Sequence, residues 1–180
     1  MASPFPGHSA PNAGFEVPLE MLAACHHRVE NQCATLQRLV VHVAKHDSDA
    51  EARVAAAAVL RYFDTSAVHH HADEETDLFP ALIEAMAGSD AVCIQALIES
   101  LKRDHRTLES QWQSLRPALL KIAAGEPQPL LAGDVMPLVA LYAQHMAREE
   151  AELLPMAARV LCDSVLDTVG RAMRTRRGIP

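Results

Sequence analysis

The sequence predicts an all-α protein, an antiparallel up-down four-helix bundle with a short extra C-terminal helix and an irregular N-terminal arm. Three observations support this prediction. Of the 180 residues, 49% are hydrophobic but only 4% are aromatic, and glycine occurs only 7 times. Alanine and leucine dominate the apolar residues, and both favour helix. Apolar residues also recur at steps of three and four over long stretches, whereas the alternating pattern of strands is rare.

The predicted elements follow from breaks in this pattern. Residues 1–17 are rich in proline and glycine, which predicts an irregular arm carrying an exposed His8. The bundle is expected over residues 18–162, and a helix and tail over 163–180. Short connections favour antiparallel neighbours. The four long helices are predicted at residues 18–45, 50–86, about 91–124, and about 134 to beyond 152.

Individual residues support the predicted ends and irregularities. Pro18 suits the first turn of helix 1, and Asp49 is a candidate N-cap for helix 2. Pro80 and Pro117 are expected to disturb helices 2 and 3. Gly170 weakens the prediction for the length of the fifth helix.

The charge and hydropathy exclude several classes of function. A net charge of −7 and a pI near 5.8 argue against a nucleic-acid binder, which needs a basic surface. No apolar stretch approaches the ~20 residues of a membrane helix, and no signal-peptide pattern begins the chain. One cluster of basic residues stands out in this acidic chain. We interpret it as a solvated helix end, in preference to a binding patch. It contains Arg171, Arg174, Arg176 and Arg177.

The four cysteines contain no C-x-x-C pair and fall in helical patterns. They are therefore expected to be reduced and buried, since a free cysteine behaves as a small hydrophobic residue. This usage favours a cytoplasmic protein. The residues are Cys25, Cys33, Cys93 and Cys162.

An internal repeat is the most specific feature of the chain. Residues 70–80 and 145–155 both read H-x-x-x-E-E-x-x-L-[FL]-P. Residues 22–30 and 101–109 both read L-x-x-x-H-x-x-x-E. Helices 1 and 2 therefore repeat as helices 3 and 4, which predicts a pseudo-two-fold bundle with equivalent polar groups from each half.

Helical spacing predicts which of these polar residues point inward. The apolar seam of each helix includes a histidine, and in helices 2 and 4 it also includes the first glutamate of the repeated motif. His27 is expected to point outward, and His69 and His71 to lie on a flank or the surface. In helix 4 the alternative face, through Met146 and Glu150, is also fairly apolar, so the spacing separates the two faces less clearly there. The six residues predicted to be inward are His26, His70, Glu74, His105, His145 and Glu149.

These six side chains are expected to meet at one level and to bind metal. His26 lies about 28 Å from the end of helix 1, and His70 about 30 Å from the start of helix 2. Two unpartnered buried carboxylates would each cost several kcal/mol, and a cation removes that cost. A buried network of polar groups and waters is the alternative, which the matched repeat disfavours. Nitrogen and oxygen ligands without thiolate suit iron or manganese, and zinc is also compatible.

The pattern resembles the hemerythrin-like (HHE cation-binding) family over about residues 18–160. The resemblance implies two non-haem irons with bridging carboxylates and an oxo or hydroxo bridge, held by the six residues above. It also implies that the protein binds or senses dioxygen or nitric oxide. A redox enzyme acting on peroxide or nitric oxide and an iron-storage or interaction module are the alternatives. The expected partners exclude nucleic acid and membrane, and a homodimer and the redox or signalling partner are left open.

One position departs from the family. Oxygen-carrying hemerythrins have a second histidine one turn after the first on helix 3, whereas this chain has Glu109 there and Glu30 at the equivalent place on helix 1. These glutamates could be ligands, hydrogen-bond partners that orient the imidazoles, or surface residues. The departure weakens reversible oxygen carriage and favours reaction with small oxidants. Tyr142 could contact iron or a bound oxygen species, but core packing is favoured.

Overall fold

The computed structural model describes residues 14–88 and 91–179, and all regular structure in these ranges is helical. Most of the predicted arm, including His8, lies outside them. Five helices are named here: α1 Pro18–His46, α2 50–85, α3 Ala91–Ala124, α4 132–160 and α5 Asp163–Arg176. Wherever the sequence predicted a specific residue for a helix end, the observed end lies within about two residues of it.

Local chemistry accounts for the helix starts. Pro18 occupies the first turn of α1, where its missing N–H costs nothing. The Asp49 side chain accepts a hydrogen bond from the backbone N–H of Ala52 at 2.9 Å, so the predicted N-cap of α2 is confirmed. Pro117 lies inside α3, and the kink expected there stays a prediction.

Helices α2 and α4 each contain a π-helical turn that begins at the first glutamate of the repeated motif, Glu74–Leu78 and Glu149–Leu153. The backbone N–H of Phe79 donates to the carbonyl of Glu74, five residues back. The next residue is proline in both copies, and it has no N–H to donate. The disturbance predicted at Pro80 therefore takes the form of a π turn just before it, a feature frequent at functional sites.

The first four helices form a ring, in which α2 and α4 each pack against both α1 and α3. This arrangement is consistent with a four-helix bundle. The core has two apolar clusters on either side of a polar layer. Cluster A includes Val29, Leu36, Phe63, Trp112 and Leu138. Cluster B includes Leu22, Leu78, Ile98, Leu101 and Leu153.

The order of the clusters along the chain alternates from helix to helix. In α1 and α3, residues of cluster B precede the inward histidine and residues of cluster A follow it. In α2 and α4, residues of cluster A precede the inward glutamate and residues of cluster B follow it. Each fully buried leucine in these clusters contributes roughly 1.5–3 kcal/mol, so apolar packing holds the polar layer in place from both sides.

Helix α5 packs on α1 and α2 and corrects the prediction for the arginine cluster. Arg176 and Arg177 both contact the carboxylate of Asp73, which is 0% exposed, and Arg176 also contacts Asp77 at 2.6 Å. These two arginines are therefore internal ion-pair partners and not part of a solvated helix end. The sequence pattern of α5 did not indicate that this helix packs over α2. The acidic partners of its two arginines therefore could not be predicted.

The cysteine prediction is half wrong. Cys25 and Cys33 are buried, but Cys93 and Cys162 are exposed, and all four are free thiols. Cys93 lies in the first turn of α3, and Cys162 lies in the link before α5, where neighbouring helices cover less of the surface. Within the described ranges, no helix combines the length and the apolar character needed to cross a membrane.

Candidate metal centre

The polar layer brings together all six residues that the sequence predicted to point inward. None of their side chains is more than 2% exposed. His27, by contrast, is exposed and faces outward as predicted. The buried residues are His26 and His105 from α1 and α3, His70 and Glu74 from α2, and His145 and Glu149 from α4.

The six residues form two groups that share both carboxylates. In each group, one nitrogen or oxygen atom from every member lies within 4.8 Å of the others. The first group combines Glu74 and Glu149 with His26 and His70. The second combines the same glutamates with His105 and His145.

Each shared carboxylate lies between one histidine of each group. The oxygens of Glu149 lie 3.1 Å from His26 Nε2 and 3.1 Å from His145 Nε2. The oxygens of Glu74 lie 3.5 Å from His70 Nε2 and 3.3 Å from His105 Nε2. Two carboxylates placed in this way have the geometry needed to bridge two cations.

The unpaired polar atoms of the layer test whether a metal fits. Both carboxylate oxygens of Glu74 and of Glu149 are buried without a hydrogen-bond partner among the described residues, as is His26 Nε2. Nearly all buried polar atoms in proteins are hydrogen-bonded, and an unpaired buried carboxylate is costly. Imidazole nitrogens and carboxylate oxygens are ligands for iron, manganese and zinc. The residues therefore fit a bound metal.

Burial and mutual contact set the charges in this layer. Burial and the neighbouring charge of Glu149 raise the pKa of Glu74 well above its usual range. Burial alone would also raise the pKa of Glu149, but contacts with His145 and His26 hold it well below the usual range. Burial lowers the pKa of His70, which keeps that imidazole neutral. Neutral imidazoles and ionised carboxylates are the forms that bind metals.

Carboxylates outside the two groups orient the imidazoles. Glu75 lies 2.7 Å from His105 Nδ1, and Glu150 lies 3.0 Å from His26 Nδ1. Because a carboxylate only accepts, each of these two Nδ1 atoms can donate to its partner, and the Nε2 atom of the same ring is then the one available to a metal. Asp104 lies 3.5 Å from His145 Nδ1 but makes no hydrogen bond with it.

These orienting residues were missed or left unassigned by the sequence reasoning. Glu75 and Glu150 are the second glutamates of the two E-E pairs, and their contacts cross from α2 to α3 and from α4 to α1. The doubled E-E was the signal that could have found them.

Three residues whose roles the sequence did not decide lie in different environments in the structure. Glu30 is exposed and lies 3.4 Å from the exposed His27, so it is a surface residue. Glu109 is also exposed and belongs to neither group. Tyr142 is buried and packs on Phe63 with ring centroids 5.5 Å apart, as the core-packing interpretation predicted.

His71 is half-buried on the flank of the α2 seam, as predicted, but it also contacts a residue of the polar layer. Its ring stacks on that of His105 with centroids 4.0 Å apart, and its Nε2 atom is buried. Burial and the neighbouring His105 and His70 lower its pKa well below the usual range. Because α2 packs against α3 as well as α1, the buried surface of α2 is wider than one seam, and residues beside His70 also face a neighbour.

The sequence matches the hemerythrin HHE cation-binding domain family over residues 17–157. This chain belongs to that family. A protein of Haemophilus influenzae, described as uncharacterized, is 30% identical to it over 167 residues, which cover 93% of this chain and 94% of that protein. Membership of a cation-binding family agrees with the unpaired ligand atoms found in the polar layer.

Proposed function

We propose that this hemerythrin-like protein holds two non-haem irons bridged by Glu74 and Glu149, and that it binds or senses a small diatomic molecule or oxidant there. The observation that carries the proposal is the position of each carboxylate between histidines of the two groups. The histidines divide equally, with His26 and His70 on one iron and His105 and His145 on the other.

Bound iron would supply one-electron redox chemistry and coordination positions for a small ligand. The chain supplies the surroundings. Glu75 and Glu150 fix the protons on the Nδ1 atoms of two imidazoles, which holds the rings in their ligating orientation. Clusters A and B cover the polar layer on both sides and keep bulk water out of it.

A cavity of about 620 Å³ lies beside the second group, although none of the four residues of that group lines it. Phe63, Trp112 and Tyr142 line it, together with His71 and Glu75, which contact His105. Pockets that combine apolar walls with a few polar groups are typical of ligand sites. The cavity also has charged lining residues, among them Arg106 and Arg116, so its size and position support access by a small molecule without selecting its charge.

Optical spectra of the iron-loaded protein test the proposal. We expect an absorption band of a bridged diferric centre that disappears on reduction and returns when oxygen is admitted, or changes when nitric oxide is added. A protein that contains two irons per chain and responds to neither gas would contradict the proposed ligand class.

A di-iron redox enzyme acting on peroxide or nitric oxide is the second candidate. It is favoured by the exposure of Glu109, because this residue does not occupy a coordination position and leaves room for an oxidant. Turnover of peroxide above that of free iron would support it. A large fall in melting temperature on chelation, with neither gas binding nor turnover, would support an iron-storage or interaction module instead.

The proposal also covers the arrangement of the helices and the location of the protein in the cell. The alternating order of clusters A and B along α1–α4 supports an antiparallel up-down bundle. Four free cysteines support a reducing, cytoplasmic location. We propose that the protein acts on its small ligand without a nucleic-acid or membrane partner.

A further inference from the structure

We infer that Trp112 is a one-electron donor to the metal centre, and that Asp64 accepts the proton which the oxidised indole releases. This inference rests on the proposed di-iron centre and applies to its reaction with peroxide, the second candidate above. It assigns a redox role to two residues that lie outside both ligand groups.

The oxidisable aromatic side chains lie together in cluster A, on one side of the polar layer. The sequence contains one tryptophan and two tyrosines, and all three rings contact Phe63. The centroid of the Phe63 ring lies 4.9 Å from that of Trp112. It lies 5.4 Å from that of Tyr62 and 5.5 Å from that of Tyr142. Although only 4% of the residues are aromatic, every tryptophan and tyrosine of the chain is therefore at this one place.

A continuous series of ring contacts joins this cluster to the polar layer. The ring centroids of Tyr142 and His71 lie 6.3 Å apart, and His71 stacks on His105 at 4.0 Å. His105 belongs to the second group of candidate ligands. Because the rate of electron transfer falls steeply with distance, a series of neighbouring rings favours transfer between Trp112 and the metal that His105 would hold.

Hydrogen bonding distinguishes Trp112 from the two tyrosines. An indole or a phenol that loses an electron becomes much more acidic, so its oxidation is favoured where a base accepts the proton. Trp112 Nε1 donates to Asp64 Oδ1 at 2.9 Å. The Tyr62 hydroxyl instead donates to the backbone carbonyl of Cys25, which is not a base. Burial raises the pKa of the Tyr142 hydroxyl, which therefore retains its proton.

Arg116 keeps Asp64 in the form that accepts a proton. The Nε atom of Arg116 lies 3.0 Å from both carboxylate oxygens. The hydrogen bonds from Arg116 and Trp112 hold the pKa of Asp64 below its usual range, so the carboxylate is ionised at neutral pH. The Asp64 side chain is 29% exposed and lines the same cavity as Trp112, so the proton can pass on to solvent.

The proposed step balances in electrons and protons. Peroxide accepts two electrons and two protons from solvent, its O–O bond breaks, and two water molecules form. In a centre with one ferrous and one ferric iron, the ferrous iron gives one electron and is oxidised to ferric. Trp112 gives the other electron, its Nε1 proton passes to Asp64, and a neutral indolyl radical remains. A fully reduced centre supplies both electrons itself and needs none from Trp112.

Electron paramagnetic resonance (EPR) of the iron-loaded protein tests the inference, because the chain has a single tryptophan. Protein with one ferrous and one ferric iron is mixed with one equivalent of hydrogen peroxide per chain and frozen. We expect the signal of an organic radical, with a hyperfine pattern that changes when the protein is made with ring-deuterated tryptophan. Fully reduced protein given the same peroxide should not show this signal.

Variants separate the electron donor from its aromatic neighbours. Trp112→Phe keeps an aromatic ring in the cluster and should lose the radical signal. Tyr62→Phe is the matched control in the same cluster and should keep it. Asp64→Asn retains a hydrogen-bond acceptor but not the base, and should lower the yield of the radical. An undiminished yield in that variant would overturn the role of Asp64.

Iron that peroxide oxidises without a tryptophan radical would overturn the inference, as would an unchanged signal in W112F. A radical whose hyperfine pattern is the same with deuterated tryptophan would overturn it as well. If W112F does not fold, the isotope comparison on wild-type protein decides alone. Wild-type protein that binds no iron would contradict the proposed function itself, which distinguishes the two failures.

Discussion

The buried histidines of α1 and α3 each contact a glutamate from a neighbouring helix through the Nδ1 atom. This contact sets the orientation of the imidazole ring. Glu75 contacts His105, and Glu150 contacts His26. In each E-E pair the first glutamate is therefore buried in the centre, and the second holds the histidine of an adjacent helix. The repeat gives both residues of the pair a physical role.

Replacing Glu75 by glutamine should lower iron affinity about 10–100-fold, the usual effect of losing a partner that orients a metal-bound histidine. The amide still fills the space but accepts less strongly from His105 Nδ1. Competition with a chelator measures the change. Glu109→Gln is the matched control, because Glu109 is exposed and outside the centre, and an equal loss in both variants would contradict this role for Glu75.

At this scale the sequence could predict the six buried residues, because spacing of three and four residues identifies the seam of a helix. It could not predict the contacts that His71 and Glu75 make with His105. Their positions depend on which neighbouring helix covers the flank of the seam, and a helical pattern contains no information about its neighbours.

Helix α5 has a role that the sequence did not indicate, because two of its arginines pair with a buried aspartate of α2. Asp73, immediately before the shared Glu74, is completely buried and is contacted by Arg176 and Arg177 from α5. The C-terminal helix thus compensates a buried charge directly beside the metal centre. A basic cluster at the end of a chain is more often a solvated surface, so this contact could not be predicted from the sequence.

Replacing both Arg176 and Arg177 by alanine should lower the free energy of unfolding by about 3–5 kcal/mol, because it leaves the Asp73 carboxylate buried and unpaired. Arg171→Ala, at an exposed position of the same helix, should change it by less than about 0.5 kcal/mol. Urea denaturation of metal-free protein measures both. Equal stability of the double variant and wild type would mean that Asp73 does not depend on α5.

Gly170 of α5 packs directly against the segment before α1. A Cβ atom added there would lie 2.1 Å from the carbonyl oxygen of Phe15, whereas one added at Gly133 in α4 would meet nothing within 4 Å. We expect Gly170→Ala to destabilise the protein by about 1–3 kcal/mol and Gly133→Ala to stabilise it by about 0.4–1 kcal/mol. Thermal unfolding of both variants tests this, and a stabilised G170A would contradict the close contact.

The helices themselves were largely predictable, since their starts follow from proline and cap positions. The π turns were not. The sequence indicated a disturbance at Pro80, but the wider turn that begins at Glu74 depends on how the backbone satisfies its hydrogen bonds around a residue without an N–H. The same turn begins at Glu149, so the irregularity is repeated with the motif.

Across the whole molecule, the two halves of the repeat deliver equivalent groups to one layer between clusters A and B. Each half contributes two buried histidines and one buried glutamate. Without a cation, the oxygens of both carboxyl groups lack hydrogen-bond partners among the described residues, and burial disfavours the ionised form of Glu74, whose pKa is raised. Metal binding is therefore expected to stabilise the fold, because its free energy adds to that of folding.

The most direct test is the iron content per chain of wild type, H70A, E149A and H27A, each loaded under the same conditions. His70 and Glu149 lie in the polar layer, whereas His27 is exposed one residue from His26. We expect two irons per chain in wild type and in H27A, and well below two in H70A and E149A. Normal iron content in both H70A and E149A would contradict this expectation.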